Sequence, residues 1–167
     1  MRLSQPAWLL LVASVACSPT VVDTAADEQI VRGMLAEWYE AATARDLDVL
    51  LDHYEDGATI MAANWPTATG RDAIREYFLA EWAATTAQLE FTGEAEEVHI
   101  AGDFAMLRGS ARTTVTPTDG SEPWIYTGSF VEVYRRQPNG SWKSMWDIWN
   151  STLPISELYR RMGPPEG

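Results

Sequence analysis

Cysteine is almost absent from this chain, since Cys17 is the only one among 167 residues. No disulfide can form within the chain, so the fold must be stabilised by its apolar core. About 140 residues can bury enough surface for that, and 46% of the sequence is hydrophobic. Histidine is scarce as well. His53 and His99 lie far apart, and no spacing of His, Cys and Asp indicates a metal site.

Basic residues are few, with 12 Lys and Arg against 24 Asp and Glu, which gives a formal net charge of −12. Such a surface repels phosphate backbones, so we expect no nucleic-acid partner. No polybasic patch favours direct membrane binding. The sequence also lacks a Gly-rich phosphate loop, a nucleophile elbow and a dinucleotide fingerprint, and it therefore predicts no cofactor.

The N-terminus has the pattern of an export signal. Residues 7–16 form a mostly apolar run, too short to span a bilayer as a folded helix, behind the positive start Met1-Arg2. Small residues then precede Cys17, which resembles the lipobox of bacterial lipoproteins, with Ser14 where Leu is usual. That resemblance implies a lipid on Cys17, and a membrane attachment through that lipid alone, at the cell envelope. The alternative is an ordinary secretory signal cut after Ala16. Either way, the domain is expected to be exported.

Periodicity divides the remainder of the chain into three helices and a set of strands. Ile30, Met34, Trp38 and Ala41 form one apolar stripe, and Asp46 is placed to cap a second helix. The mostly apolar face of the third helix includes Glu81. The predicted helices cover residues 27–44, 47–54 and 72–85, and the predicted strands cover 58–63, 89–100, 104–116, 124–136 and 141–151. We therefore predict an α+β fold, with the helices on one face of a curved antiparallel sheet. The predicted division is a signal at 1–17, a tether at 18–26, the domain at 27–153 and a C-terminal tail at 154–167.

Several short phrases occur in a characteristic order along the chain. They are Ala44-Arg-Asp-Leu-Asp48, Tyr54-Glu-Asp-Gly-Ala-Thr59, Gly70-Arg-Asp-Ala-Ile74, Gly102-Asp-Phe-Ala105, Asn139-Gly-Ser-Trp-Lys143 and Asp147-Ile-Trp-Asn-Ser151. Across residues 28–151 this order resembles the SnoaL-like and ketosteroid-isomerase-related branch of the nuclear-transport-factor-2-like superfamily. The resemblance implies a cone-shaped sheet wrapped around three N-terminal helices, an apolar pocket for a small molecule, and a homodimer formed through the sheets. The superfamily includes isomerases, cyclases, dehydratases, epoxide hydrolases and members without any chemistry, so fold alone does not give the reaction.

The last hairpin carries most of the candidate site. Pro138-Asn139-Gly140 is a strong turn signal between two aromatic, β-branched runs. Counting from this turn pairs Glu132 with Met145 and Phe130 with Asp147. Strand alternation then places two sets of side chains on opposite faces. The pocket face would carry Tyr126, Gly128, Phe130, Glu132, Tyr134, Met145, Asp147 and Trp149, and the face towards a partner subunit would carry Val131, Val133, Trp146 and Ile148.

The resemblance assigns roles to some of these positions. Trp149 matches a pocket tryptophan of some ketosteroid isomerases, Glu132 matches their oxyanion-hole acid, and Asp147 matches a catalytic aspartate of the limonene-epoxide-hydrolase type. Two acids in one apolar cone would have raised pKa values and could act as proton donor and acceptor. However, Ala62 occupies the position of the isomerase base, and Trp38 that of its oxyanion-hole tyrosine. Neither family's full catalytic set is present.

We therefore expect a domain that binds a small, mostly apolar molecule. If it is an enzyme, it would be a cofactor-free isomerase, cyclase or hydrolase with Asp147 as acid or base and Glu132 as its partner. The ligand-binding candidates are Trp149, Phe130, Tyr126, Trp38 and Met145, with Asn64 and Trp65 at the mouth. Three alternatives remain: structural acids paired with Arg108, Arg112 or, for Asp147, a Trp indole; a non-catalytic binding module; and a dimerisation domain whose own aromatic side chains fill the cone.

Overall fold

The computed structural model describes residues 24–154, 156–157 and 160. The predicted signal with Cys17, the tether up to residue 23 and most of the tail lie outside the described residues. The elements are α1 (Thr24–Ala44), α2 (Leu47–His53), β1 (Tyr54–Met61), β2 (Ala68–Thr69), α3 (Arg71–Ala83), β3 (Gln88–Ala101), β4 (Phe104–Thr116), β5 (Trp124–Arg136) and β6 (Trp142–Trp149). The predicted α+β class with three helices is confirmed.

Helix α1 begins three residues earlier than predicted, so residues 24–26 are helical. Its buried stripe agrees with the predicted one only in part. Ala41 is buried as predicted and Met34 and Trp38 are half-buried, but Ile30 is 51% exposed and Val31 and Leu35 are buried instead. The α1 helix packs against β3, and because Val31 and Leu35 face the sheet, Ile30 is turned towards solvent. Within the described residues no helix is long and apolar enough to cross a membrane.

Helix α2 is shorter than predicted because its last residues change conformation. Asp46 caps the helix as expected, since its side chain accepts a hydrogen bond of 3.2 Å from the backbone N–H of Val49. The helix ends at His53, and Tyr54 is already extended, with φ −97° and ψ 146°. Tyr54 therefore begins strand β1 rather than completing a helix.

The six strands form one open sheet in the order β2-β1-β6-β5-β4-β3. Strands β3 to β6 are antiparallel neighbours, as predicted, but β1 pairs with β6 in parallel. The sheet is therefore mixed, not wholly antiparallel. The sheet can be mixed because α3 and the long hairpins separate β1 from β6 in sequence, which allows a parallel crossover.

A bulge in β6 changes the predicted register of the last hairpin. Glu132 lies opposite Asp147, not opposite Met145, and Phe130 lies opposite Trp149. The turn is one residue longer than counted, and the pairing shifts again between Val133 and Tyr134, where Met145 has no partner on β5. The total shift is two residues, so Glu132 and Asp147 still share a face.

The apolar core lies between the helices and the inner face of the sheet. One cluster joins α2 and α3 to β1, and a second joins α1 to β4 and β5. The outer face of the sheet keeps large apolar side chains exposed, among them Trp146 at 51%, Ile148 at 44% and Met106 at 46%. The two faces predicted from strand alternation are thus present, with the acids on the inner one.

Candidate functional site

A cavity of about 90 Å³ opens on the inner face of the sheet, between the sheet, α1 and α3. Its walls are mainly aromatic and aliphatic, and three of its lining groups are carboxyls. The lining residues are Leu35, Trp38, Tyr39, Ala42, Glu81, Trp82, Phe91, Ala111, Thr113, Tyr126, Gly128, Phe130, Glu132, Asp147, Trp149 and Asn150. The volume is below the roughly 300–1,000 Å³ of drug-sized ligand sites. Aromatic side chains fill the cone in part and leave room for a small molecule.

Asp147 lies in the wall of this cavity with only 5% of its surface exposed. Its Oδ2 accepts a hydrogen bond of 2.8 Å from the hydroxyl of Tyr54, which itself accepts one of 2.9 Å from the indole N–H of Trp38. Oδ1 makes no hydrogen bond to any residue in the described part of the chain. Burial raises the pKa of Asp147 well above its usual range, and the neighbouring Glu132 raises it further, against the Tyr54 hydrogen bond.

Glu132 faces Asp147 from the adjacent strand and is 3% exposed. Its Oε1 lies 2.9 Å from Nε2 of His53, and its Oε2 accepts a hydrogen bond from the hydroxyl of Tyr134. Both carboxylate oxygens are thus held by buried groups. Burial and the charge of Glu132 also raise the pKa of Tyr134, so this phenol keeps its proton and remains a donor.

The arginines that were the alternative partners of these acids lie elsewhere. Arg108 forms ion pairs with Glu96 at 2.6 Å and Glu97 at 3.0 Å on the exposed side of β3 and β4. Arg112 is exposed and does not line the cavity. His53, which carried no predicted role, takes the place expected for an arginine beside Glu132.

A third carboxyl, Glu81 of α3, lines the same cavity. Its Oε1 accepts a hydrogen bond of 3.2 Å from the hydroxyl of Tyr77, one turn earlier. Desolvation raises the pKa of Glu81 to about 7, although the Tyr77 hydrogen bond and the charge of Arg45 both lower it. Glu81 is half-buried, and it is one of the residues that line the cavity. The sequence contained a signal for this site, because Glu81 interrupts the apolar face of its helix.

Six of the predicted site residues meet at this cavity. They are Asp147, Glu132, Trp149, Phe130, Tyr126 and Trp38.

Three others do not line it. Met145 is the unpaired residue of the bulge, and its sulfur lies 3.7 Å from a guanidinium nitrogen of Arg135. Asn64 is exposed at a turn with φ 66°, and Trp65 packs edge-on against Tyr77 with ring centroids 5.4 Å apart.

His53 and Tyr54 are the site residues that the sequence did not indicate. Strand alternation along β5 placed Tyr134 on the face of Glu132, as observed, but assigned it no role. His53 and Tyr54 are 79 and 93 residues away from their acid partners, and no local pattern links them. Among the described residues, no group of three or more His, Cys, Asp or Glu is arranged to hold a metal ion.

The profile of the SnoaL-like domain family matches residues 35–145, about two thirds of the chain. The protein therefore belongs to the SnoaL-like domain family. No curated protein matches the chain in sequence.

Solved structures share the nuclear-transport-factor-2-like fold with this chain. A ketosteroid isomerase-like protein from Erwinia carotovora atroseptica superposes with a TM-score of 0.67 at 20% identity, covering 75% of this chain and 96% of that one. An NTF2-like protein with a cystatin-like fold from Novosphingobium aromaticivorans gives 0.69 at 17%, covering 81% and 88%. A putative dehydratase of the NTF2-like family from Streptomyces avermitilis gives 0.66 at 20%, covering 78% and 99%. These identities establish the shared fold and leave the reaction to the site itself.

Proposed function

We propose that the cavity binds a small, mostly apolar molecule and that Asp147 transfers a proton to or from it without a cofactor. The observation that carries this proposal is the setting of Asp147. One carboxyl oxygen is fixed by Tyr54, the other makes no hydrogen bond to a described residue, and the side chain lies in an aromatic cavity. A general acid or base needs both this orientation and access to the ligand.

The raised pKa of Asp147 suits that role. Burial and the neighbouring Glu132 make its carboxyl keep a proton to higher pH than an ordinary aspartate. In an isomerisation, ionised Asp147 would remove a proton from a carbon next to a carbonyl and return it to another atom of the same molecule. Atoms and charge balance within one ligand, and no oxidant or reductant is needed. Glu132, held by His53 and Tyr134, would keep the pKa of Asp147 raised through this cycle.

The size of the cavity restricts the ligand. A space of about 90 Å³ admits a molecule of a few heavy atoms, or one end of a larger molecule that extends out of the mouth. The rings of Trp38, Phe130 and Trp149 supply apolar contacts on several sides. A steroid skeleton could enter only if these side chains moved, so compact cyclic ketones and short enones are better first probes.

The test combines binding with proton exchange. Thermal unfolding of the full chain is measured against a panel of compact ketones, terpenoids, aromatic polyketide fragments and fatty acids. A ligand at 100 times its dissociation constant stabilises the fold by about 2.7 kcal/mol, which is a shift in Tm of about 5 to 10 °C. Ketones that shift Tm are then incubated in D₂O. Wild-type protein is expected to incorporate deuterium next to the carbonyl, and Asp147→Asn is expected to lose this activity while it still binds.

A non-catalytic binding module is the second candidate. It is favoured by Ala62, which is 8% exposed directly after β1, at the position where an isomerase of this branch would carry its base. Ligand-induced Tm shifts without deuterium exchange in wild type would support this candidate over proton transfer. Absence of any shift across the panel would count against both.

We also propose that the outer face of the sheet pairs with a second copy of the chain. Trp146, Ile148 and Met106 expose apolar side chains there, and a contiguous apolar face on a soluble domain favours association. Sedimentation equilibrium of wild type should give a dimer, and Trp146→Glu should shift it to a monomer. A monomeric wild type at micromolar concentration would contradict the proposal.

Export to the cell envelope, with a lipid on Cys17, remains a proposal from the sequence. Intact mass spectrometry of the protein from its native host tests it. A lipidated Cys17 should appear as the first residue and should be lost in Cys17→Ser. A chain that retains Met1 would contradict both forms of the proposal.

A further inference from the structure

The cavity carries acidic groups without basic ones. Glu81, Glu132 and Asp147 all line it, and neither lysine nor arginine is among its lining residues in the described part of the chain. The nearest basic group to Glu132 is His53, whose Nε2 lies 2.9 Å from Oε1 of that acid. His53 is 8% exposed. A ligand that enters this space therefore meets carboxyls and π faces, and no fixed cation.

Glu81 and Asp147 occupy separate places on the wall. Tyr77 and Arg45 are the polar groups that act on Glu81, whereas Glu132 and Tyr54 act on Asp147. Asp147 contributes an oriented proton-transfer group at one place. Glu81 offers a second acidic group at another place on the wall. The rings of Trp82 and Tyr126 lie next to it and line the same cavity.

We propose that the ligand is a small organic cation, a protonated amine, whose charged nitrogen lies at Glu81 among the aromatic rings. This inference rests on the proposed use of the cavity as a ligand site, and it adds the class of ligand. An ammonium group is attracted by ring faces within about 6 Å of their centroids and by a carboxylate with little exposure. The apolar part of the amine would then extend towards Asp147.

The charged neighbours of Glu81 leave room for such a ligand. Arg45 does not line the cavity, and its guanidinium donates a hydrogen bond of 3.2 Å to the backbone carbonyl of Ala87. Tyr77 and Tyr126 face Glu81, and desolvation raises the pKa of both phenols, so they stay neutral. An incoming ammonium group would form the only close ion pair with Glu81 in the described part of the chain.

The test uses two pairs of compounds matched in size: n-butylamine with 1-butanol, and benzylamine with benzyl alcohol. Binding to the full chain is followed at pH 8 by the fluorescence of the cavity tryptophans and by calorimetry. We expect each amine to bind at least tenfold more tightly than its alcohol. Glu81→Gln should bring the two affinities of each pair together without weakening the alcohol. Glu76→Gln removes the same charge from an exposed position of the same helix, and it should leave the preference unchanged.

Lowering the pH gives an independent check. Glu81 becomes protonated below a pKa of about 7, so the preference for the amine should shrink at pH 5.5. Equal affinities at pH 8, a preference that survives Glu81→Gln, or no binding of any of the four compounds would each overturn the inference. Alcohol binding without an amine preference, or ligand hits elsewhere in the panel, would leave the cavity as a binding site and reject only the cation.

Discussion

Replacing Glu81 by Gln should stabilise the fold, and the gain should depend on pH. In the folded protein the pKa of Glu81 is raised from its usual 4.5 to about 7, chiefly by desolvation. Between these two values the folded state binds more protons at this site than the unfolded state does. Stability of the wild type therefore falls as the pH rises from 4.5 to about 7, and this contribution is constant above that range. Gln has no proton to lose, so the variant should lack this part of the pH dependence.

The size of the effect follows from the same shift. At about 1.36 kcal/mol per pH unit, a rise from 4.5 to about 7 corresponds to about 3 kcal/mol. Glu81 is half-buried, so solvent can screen part of its charge, and we expect about 1 to 2 kcal/mol. The amide oxygen of Gln can still accept the Tyr77 hydrogen bond, so the Tyr77 hydroxyl keeps its partner.

Urea unfolding, followed by tryptophan fluorescence at half-unit steps from pH 4.5 to 8.5, measures this difference. The stability of Glu81→Gln minus that of wild type should be near zero at pH 4.5 and should reach its maximum by pH 8. Glu76→Gln is the matched control, since it removes an exposed charge from the same helix and should give a flat difference. A flat difference for Glu81→Gln, or one that falls with pH, would refute the argument that desolvation governs this carboxyl.

Four further substitutions test the buried acid Asp147, its hydrogen bond and the packing at two glycines. Asp147→Asn should raise the unfolding free energy at pH 8, measured by urea midpoints, because it removes an ionisable group whose pKa is raised by burial and by Glu132; a loss of stability would contradict this. Tyr54→Phe should cost about 1 to 3 kcal/mol, because it leaves an acceptor on Asp147 unpaired, and an unchanged midpoint would argue against that hydrogen bond. Gly93→Ala should cost about 1 to 3 kcal/mol in thermal unfolding, because a Cβ there would clash with a phenol oxygen of α1 and a backbone carbonyl of β4. Gly33→Ala, with open space around its Cβ in a helix, should instead stabilise by about 0.5 to 1 kcal/mol, and the opposite order of the two would refute the packing argument.

The elements that local pattern determines were predicted well. The bounds of β4 and β5 coincide with the prediction, since strand alternation and turn residues mark both ends of each strand. The parallel pairing of β1 with β6 was not predicted. It joins segments more than 80 residues apart, and nothing in either strand specifies the direction of its neighbour. In the first half of α1 the stripe was misplaced by one residue, because apolar residues occur on adjoining positions and packing against β3 decides between them.

The candidate site was predicted where strand alternation sufficed and missed where distant segments meet. Asp147 and Glu132 share a face in any register that differs by an even number of residues. The prediction that they lie close together was therefore correct although the register of the hairpin was wrong. The predicted place of Met145 in the cavity was wrong, because the bulge in β6 changes the side of the strand to which its side chain points. His53 reaches Glu132 only through the packing of α2 against the sheet. A contact of that kind depends on the whole fold, which is why the sequence suggested an arginine in its place.

The cavity acids bear on which function is correct. Burial raises the pKa of Glu81 and of Asp147, so each of these two carboxyls lowers stability at neutral pH relative to a neutral residue of the same shape, and the charge of Glu132 adds to the effect on Asp147. A domain used only for dimerisation through its outer face would gain nothing from these acids, since none of them lies on that face. If Asp147→Asn and Glu81→Gln both stabilise the fold and both abolish a binding or exchange activity, the two acids lower the stability of the wild type because they act on the ligand. If they stabilise the fold and no ligand is found in the panel or among the amines, the acids have no role in the cavity, and dimerisation becomes the leading function.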